Sequence, residues 1–550
     1  MKANTIRLRK FFLKNTTLLL FVLCLGNSMA QSPVFTWLNG SSVFKQMGNY
    51  GTMGVSSSAN IPGARENAMT WVDNNGMFWL FGGHGYSTIS TEGYLNDLWK
   101  YDVSTNEWTW VAGSNTNNSH GTYGTMGVAA STNIPGARQN AYTWVDNNNN
   151  LWLFGGNGYA VGGGLNYLND LWKYSITTGQ WTWVSGSNTA NSSATYGTVG
   201  VASANNIPGA RYGGNTWKDS AGNLWLFGGQ ENHGSIERLN DLWKYNINTN
   251  EWTWVKGANT SNQTGIYGTK GVAADANTPG SRQASVCWTD NANNFWLFGG
   301  YGFPETGTTY SYLNDLWMYN VSLNQWTWVS GTNLLNQSAT YGTLGVASAN
   351  NIPGARQMSI GWTDDNDNLW LFGSWGYTAP QFGRMNDLWQ FNTTTNNWTW
   401  YAGSNTPNQL GIYGTQGVSN TTNIAGARRM SVSFKSSTGD FYLFGGNGYD
   451  QLDSLGLLND MWKISINQSV NTNNMEEEVS ALKIYPNPFN NAVNIAYKDS
   501  QAHLVEIMDI SGRTLYKTTF NAKTSIDLSK FSGAVFIVKV DNRVKKVIKQ

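Results

Sequence analysis

The pentapeptide LNDLW begins at Leu95, Leu168, Leu239 and Leu313, and the variants MNDLW and LNDMW begin at Met385 and Leu458. A second marker, PGAR or a close relative, ends at Arg65, Arg138, Arg211, Arg282, Arg356 and Arg428. A third, WLFGG or a relative, starts at Trp79, Trp152, Trp225, Trp296, Trp370 and Tyr442. Three markers in one order, six times over, with a period of about 73 residues, leave few possible folds. Internal repeats of this kind bury their apolar faces by packing on their neighbours.

Each copy holds four strand-like runs. In the first they cover 67–72 (NAMTWV), 77–83 (MFWLFGG), 98–103 (LWKYDV) and 107–111 (EWTWV). They are short, aromatic or β-branched, and bounded by Gly, Asn and Asp. DNNG and STNE between them read as tight hairpin turns. Four antiparallel strands repeated six times predict a β-propeller. The composition agrees, since 14% aromatic residues and 62 glycines favour short strands and turns over helices. All but one of the 28 Trp residues fall in five repeat columns. In Trp-Thr-Trp both indoles point to one side of the strand and are expected to pack one sheet on the next.

The spacing also explains how the chain begins. From the second Trp of each Trp-Thr-Trp to the next repeat's Arg is always 28 residues. The sixth copy ends at LNDMWKISIN with no such strand, while VFTWLNGSS (34–42) stands 28 residues before Arg65. Phe35-Thr36-Trp37 is therefore expected to complete the sixth unit, closing the ring and removing a free edge. Only the segment between the second and third strands varies in length. Antiparallel geometry puts that segment and the 28-residue connection on one face, predicting a thick crown opposite a face of short hairpins. The connection recurs too faithfully (YGTMGVAASTNIPGAR, YGTLGVASANNIPGAR) to be structureless, because ordering it costs roughly 1 kcal/mol per residue or more. The variable loops, such as GHGYSTISTEGY and SWGYTAPQFGR, are the expected recognition elements.

A strand ending in a Gly pair, then NDLWKYD, then a spaced Trp, resembles the kelch motif over roughly residues 34–467. The repeat is longer than the usual kelch unit of about 50 residues. The resemblance implies a propeller and admits both enzymes and binding domains. Galactose oxidase, an enzymatic kelch relative, uses a copper site of Tyr and His with a Cys–Tyr crosslink. That constellation is not recognisable here. Cys287 aligns with Thr70, Thr143, Thr216, Gly361 and Ser433 and reads as a small core residue. Histidine is limited to His84, His120, His233 and His503, without metal-ligand spacing. Asp364, Asp365 and Asp367 read as a hairpin turn rather than a calcium site. No catalytic residue, metal site or cofactor is assigned.

Candidate binding residues are the six arginines Arg65, Arg138, Arg211, Arg282, Arg356 and Arg428, together with Tyr86, Tyr159, His233, Tyr301, Trp375, Tyr377 and Tyr449 of the variable loops. The arginines should ring the channel mouth on the crowned face. They either bind anions or peptides there, or pair with the Asp of each NDLW, which starts a strand on that face. Trp375, the one Trp outside the repeat columns, suits a stacking platform. Three residues after each Arg come Ala68, Ala141, Gly214, Ser285, Ser359 and Ser431, all small, as crowding near the axis requires.

Both ends of the chain differ from the repeats. Residues 1–30 combine a basic start, the apolar run LLLFVLCLG and a small-x-small site at Ser28-Met29-Ala30, the pattern of a cleaved signal peptide. No spanning segment is expected after cleavage. Cys287 is then the sole cysteine, and no intrachain disulfide can form. Residues 468–480 read as a polar linker. Residues 481–550 carry 11 basic and 5 acidic residues and no Trp, and their alternation predicts a small β-sandwich. Residues 31–480 are left at a net −10, which disfavours nucleic acid. The tail resembles the C-terminal sorting domain of the type IX secretion system in YPNP (Tyr485, Pro486, Asn487, Pro488), in DISGR (with Gly512 and Arg513) and in its basic end. That resemblance implies export across the outer membrane of a Gram-negative bacterium, with the type IX machinery as partner. The expected fold is all-β: a six-bladed kelch-type β-propeller over 31–467, closed by its N-terminal strand, and a C-terminal β-sandwich over 481–550. The expected function is a secreted or surface-displayed, monomeric, non-catalytic module that binds protein or glycan through its long-loop face. The alternative is an extracellular enzyme, galactose oxidase-like or glycan-processing.

Overall fold

The computed structural model describes residues 33–466, except 233, 234 and 380, and residues 482–549, except 498–500, 510–512, 534 and 542. The signal segment and linker expected from the sequence lie outside the described residues. Every regular element among the described residues is a β-strand.

Residues 33–466 form six antiparallel sheets of like construction. In the first repeat the long strands are Met69–Val72, Phe78–Gly85, Gly93–Asp102 and Glu107–Ala112. The third strand starts at Gly93 rather than at 98, because Gly93, Tyr94 and Leu95 also pair with the second strand, on the far side of a register shift that holds Asn96 and Asp97. The innermost strand is broken. Arg65–Glu66 and Met69–Val72 both pair with Phe78–Gly85, and Asn67 between them is left-handed at φ 55°.

That break joins the sheets. Asn140 N–H donates to the Asn67 carbonyl, Gly213 to Asn140, Ala284 to Gly213, Met358 to Ala284, Met430 to Met358, and Asn67 to Met430. Six backbone hydrogen bonds of 2.7–3.2 Å thus run once around the axis and return to their start. All six residues have positive φ, between 51° and 71°, so their peptides lie along the ring rather than along a strand. Further out, the indole N–H groups of Trp71, Trp144, Trp217, Trp288 and Trp362 each donate 2.9–3.0 Å to a carbonyl of the next sheet. The sixth junction is instead filled by Phe434 stacked on Phe78 at 4.5 Å.

The closing strand is the one that precedes the first repeat. Val34–Asn39 pairs antiparallel with Leu455–Ser465, placing Val34 opposite Ser465 and Trp37 opposite Trp462. Trp37 packs edge-on against Tyr413 at 5.2 Å, as Trp110 packs on Tyr50 at 5.1 Å in the first sheet.

The 28-residue connections are ordered, but much of their length lies on the rim rather than the crown. Each runs down the outer edge of the sheet it enters. Ser56-Ser57 pairs with Trp108-Thr109, and Gly54 N–H donates to the Trp110 carbonyl at 2.7 Å. Gly127, Gly200, Gly271, Gly345 and Gly417 make the same bond to Trp183, Trp254, Trp328, Trp400 and Trp37. The extra length of this repeat covers the outer strands' unpaired backbone, the usual liability of an edge.

Residues 482–549 form a three-stranded and a four-stranded antiparallel sheet. Both contribute to one apolar cluster that includes Val493, Ile495, Val505, Ile507, Ile526 and Val538.

Candidate functional site: the mouth of the axial channel

The six arginines are not in the mouth. Alternation along a strand sends neighbours to opposite sides, and the Arg side chain is the one turned inward. Arg138 donates through Nη1 and Nη2 to Asp170 Oδ1 and Oδ2 at 2.7 and 2.8 Å, and through Nε to the Gly136 carbonyl. Asp170 Oδ2 also accepts the Tyr123 hydroxyl at 2.6 Å and the Trp172 indole N–H at 2.7 Å. The same four-residue cluster recurs in every sheet, with Arg65, Arg211, Arg282, Arg356 and Arg428 each on its own NDLW aspartate. These arginines are 0–2% exposed, so the ligand-binding reading of them is replaced by a structural one.

Breaking one such cluster should be costly, because a buried charge loses its partner. Asp170→Ala is expected to destabilise the protein by about 3–5 kcal/mol, and Arg138→Met combined with Asp170→Leu should recover only part of that loss, because Tyr123 and Trp172 still lose their acceptor. Chemical denaturation of the three proteins checks this. A single-variant cost under about 1 kcal/mol would contradict the geometry.

The mouth is built from the residue after each arginine and from what flanks it. Glu66, Gln139, Tyr212, Gln283, Gln357 and Arg429 follow the arginines on the innermost strands. Opposite them on the second strands stand His84, Asn157, Gln230, Tyr301, Trp375 and Asn447. The third strands add Tyr94, Tyr167, Arg238, Tyr312, Arg384 and Leu457. Below them, Ala68, Gly214, Ser285, Ser359 and Ser431 help line an axial cavity of about 140 Å³, where small side chains were expected.

Third-strand residues reach across to the second strand of the next sheet. Asn157 Nδ2 donates to the Tyr94 hydroxyl (3.4 Å), Gln230 Nε2 to that of Tyr167 (2.5 Å) and Trp375 Nε1 to that of Tyr312 (3.0 Å). Arg384 Nη2 donates to Asn447 Oδ1 at 2.6 Å, and the Arg238 guanidinium lies 4.9 Å from the Tyr301 ring centre. At the sixth junction Leu457 instead packs on Ala64 and Tyr86.

Several buried polar atoms here have no hydrogen-bond partner among the described residues: Nε and Nη1 of Arg238, Nε of Arg429, Oε2 of Glu66, Oε1 of Gln283 and Gln357, and Oγ of Ser359. Unpaired buried polar atoms cost about 1–3 kcal/mol each, and seven of the sixteen among the described residues stand around this one opening, which makes it the candidate site. Burial raises the Glu66 carboxyl above its ordinary pKa, and nearby Arg429 partly opposes that. Burial and the neighbouring Arg429 lower Arg384 to about 10.

The loop residues named from sequence divide. Trp375 and Tyr301 lie in the mouth. Tyr159 and Tyr377 pack beside it, on Tyr94 and Phe382 respectively. Tyr449 is half-buried at the end of its second strand. Tyr86 is corrected to a core residue: it is 5% exposed and donates to Glu92 at 2.7 Å. His233 and Gly512 lie outside the described residues. Cys287 Sγ donates to the Thr216 carbonyl of the neighbouring sheet at 3.5 Å, and burial raises its thiol pKa, as suits a core position. Asp364 accepts from Asn366, Asn368 and Trp370, so its oxygens serve the turn. A larger groove of about 560 Å³ lies at the rim, between the closing strand and Trp400–Ser404. None of its lining residues carries an unpaired buried polar side-chain atom, and the mouth remains the better candidate.

Sequence reasoning missed Glu66, Arg238, Gln283, Gln357, Arg384 and Arg429. A signal was available, since these positions change from copy to copy beside columns that hardly change.

The KLHDC2/KLHL20/DRC7 Kelch-repeats domain matches residues 198–399, and the Secretion system C-terminal sorting domain matches residues 483–550. The chain carries a kelch-repeat domain and a secretion sorting tail. Among curated proteins none matches it. Many solved structures resemble this chain, among them the following two. "Structure of YjhT" has 13% identity and a TM-score of 0.42, covering 75% of this chain and 96% of that one. A fungal alcohol oxidase of the AA5 family in complex with copper has 10% identity and a TM-score of 0.40, covering 91% and 100%. The sorting tail marks the kelch chain as cargo of the type IX secretion system, and so as a secreted or cell-surface protein. Within that tail Tyr485 is 41% exposed, Asn487 Oδ1 accepts from Ile548 N–H, and Arg513 is paired with Asp509 at 3.1 Å.

Proposed function

We propose that the propeller is a non-catalytic binding module that takes an extracellular glycan or protein in its channel mouth. The observation that carries this is the set of unpaired buried polar atoms on Glu66, Arg238, Gln283, Gln357, Ser359 and Arg429 around one opening. Aromatic faces stand beside them: Tyr310 is 39% and Phe382 37% exposed, next to Tyr301 and Trp375. Unpaired polar groups confer specificity when a ligand completes their hydrogen bonds, and aromatic rings add contact area at small entropic cost. The six variable loops rise around this opening and are positioned to select among ligands.

Glycan and protein arrays probed with the full chain test the reading. Replacing the six loops between the second and third strands by the shortest of them should abolish or redirect binding. Unaltered binding after all six replacements would refute it.

A further inference from the structure

Residues 33–466 contain nine arginines. Six are held in the buried clusters with aspartate. The other three, Arg238, Arg384 and Arg429, all stand in the mouth, although the region as a whole is acidic. We infer that the mouth's ligand is an acidic saccharide, its carboxylate held by Arg384 and Arg429 beside Trp375; this rests on the mouth being the binding site.

The two guanidinium groups lie 4.8 and 5.2 Å from the centre of the Trp375 indole. Arg384 is 8% exposed and uses Nε and Nη2 on Asn447. Arg429 keeps a buried Nε without a partner. Two like charges brought together on one ring repel, and the reduced proton affinity of Arg384 reflects both its burial and that repulsion. A carboxylate between them removes the repulsion and supplies acceptors for charge-assisted hydrogen bonds. Glu66 is a nearby carboxylate, yet among the described ion pairs it reaches neither arginine, and its own Oε2 has no hydrogen-bond partner among the described residues. A third cation is held in reserve: Arg238, 4% exposed, lies 3.7 Å from the Tyr310 ring centre with Nε and Nη1 unpaired.

The remaining atoms specify a sugar. Gln283 Oε1, Gln357 Oε1 and Glu66 Oε2 are acceptors and require several donors on one compact ligand. The hydroxyls of a pyranose supply them, and its C–H face suits the rings of Trp375 and Tyr301. An acidic peptide side chain would pair the arginines and leave these acceptors unmet.

The test is calorimetric titration of the full chain with a hexuronic acid tetrasaccharide, with the same tetrasaccharide reduced at its carboxyls, and with an oligoglutamate peptide. The expected result is binding of the uronate that weakens with salt, at least tenfold weaker binding of the reduced sugar, and no comparable peptide binding. Arg384→Gln and Arg429→Gln should each weaken uronate binding at least tenfold with an unchanged melting temperature, while Lys435→Gln on the hairpin face should not. If a variant fails to fold, Trp375→Phe with the same three ligands serves in its place, and should weaken uronate binding. Equal affinity for the reduced sugar, tighter binding of the peptide, or no binding of the uronate would each overturn the inference. The loop-replacement experiment decides separately whether the mouth binds ligand at all, so the two readings fail independently.

Discussion

Deleting residues 31–42 is expected to lower the stability of the propeller by more than about 5 kcal/mol, although the segment precedes the first repeat. Phe35 is 2% exposed and packs on Phe372 and Trp462 at ring distances of 6.1 and 6.5 Å. Truncating one such buried Phe costs about 3–5 kcal/mol, and Phe35→Ala alone should reach that range. Deletion also removes the ladder to Leu455–Ser465, the Trp37 contact with Tyr413 and the acceptor for Gly417 N–H. Tyr413 donates to Asp460, the partner of Arg428, so loss of the strand brings water to an ion pair that is otherwise dry. It further leaves Leu455–Ser465 as an open edge and invites association. Denaturant unfolding of the wild-type, Phe35→Ala and deleted chains checks this. A change below about 1 kcal/mol on deletion would show that the closing strand is dispensable.

The closing strand was legible because it depends only on spacing. A constant 28-residue interval identifies Phe35-Thr36-Trp37 with the other outer strands without knowledge of any contact. The arginine clusters were half legible: PGAR and NDLW could be placed on one face, but only the alternation of the short Arg-initiated strands decides that Arg138 turns toward Asp170 and Gln139 toward the mouth. The course of the long connection was misjudged for another reason. Strand order fixes where a connection starts and ends, and the connection lowers its free energy between those points by running along an unpaired edge. The mouth was the least legible part. Its residues follow no motif, since a site that selects a ligand differs from sheet to sheet where the scaffold does not. Arg238, Arg384 and Arg429 stand out only once the other six arginines are known to be buried.

The sixfold scaffold carries a second large consequence, a collapse in alkali. Tyr50, Tyr123, Tyr196, Tyr267, Tyr341 and Tyr413 each donate to a buried aspartate at 2.6–2.9 Å. Burial raises the pKa of every one of these hydroxyls well above the ordinary value, and the adjacent aspartate raises it further. Below pH 10 these tyrosines are neutral both in the folded protein and in the unfolded chain, and their contribution is fully present. Above pH 10 the unfolded chain releases six protons that the folded protein retains. Stability then falls by about 1.4 kcal/mol per pH unit for each tyrosine, or roughly 8 kcal/mol per unit for the set. A total stability of about 5–15 kcal/mol is exhausted within one to two pH units. Phenolate absorbance should therefore stay low for these residues and rise in one cooperative step that coincides with loss of the far-ultraviolet signal. Tyr123→Phe removes one proton from the linkage and should make the dependence shallower by about 1.4 kcal/mol per pH unit, while also costing about 1.5–3 kcal/mol at neutral pH for the lost bond to a charged acceptor. Gradual ionisation centred near pH 10 with the sheets intact would mean that these six hydroxyls are open to solvent, and the buried Arg–Asp–Tyr–Trp cluster would have to be abandoned.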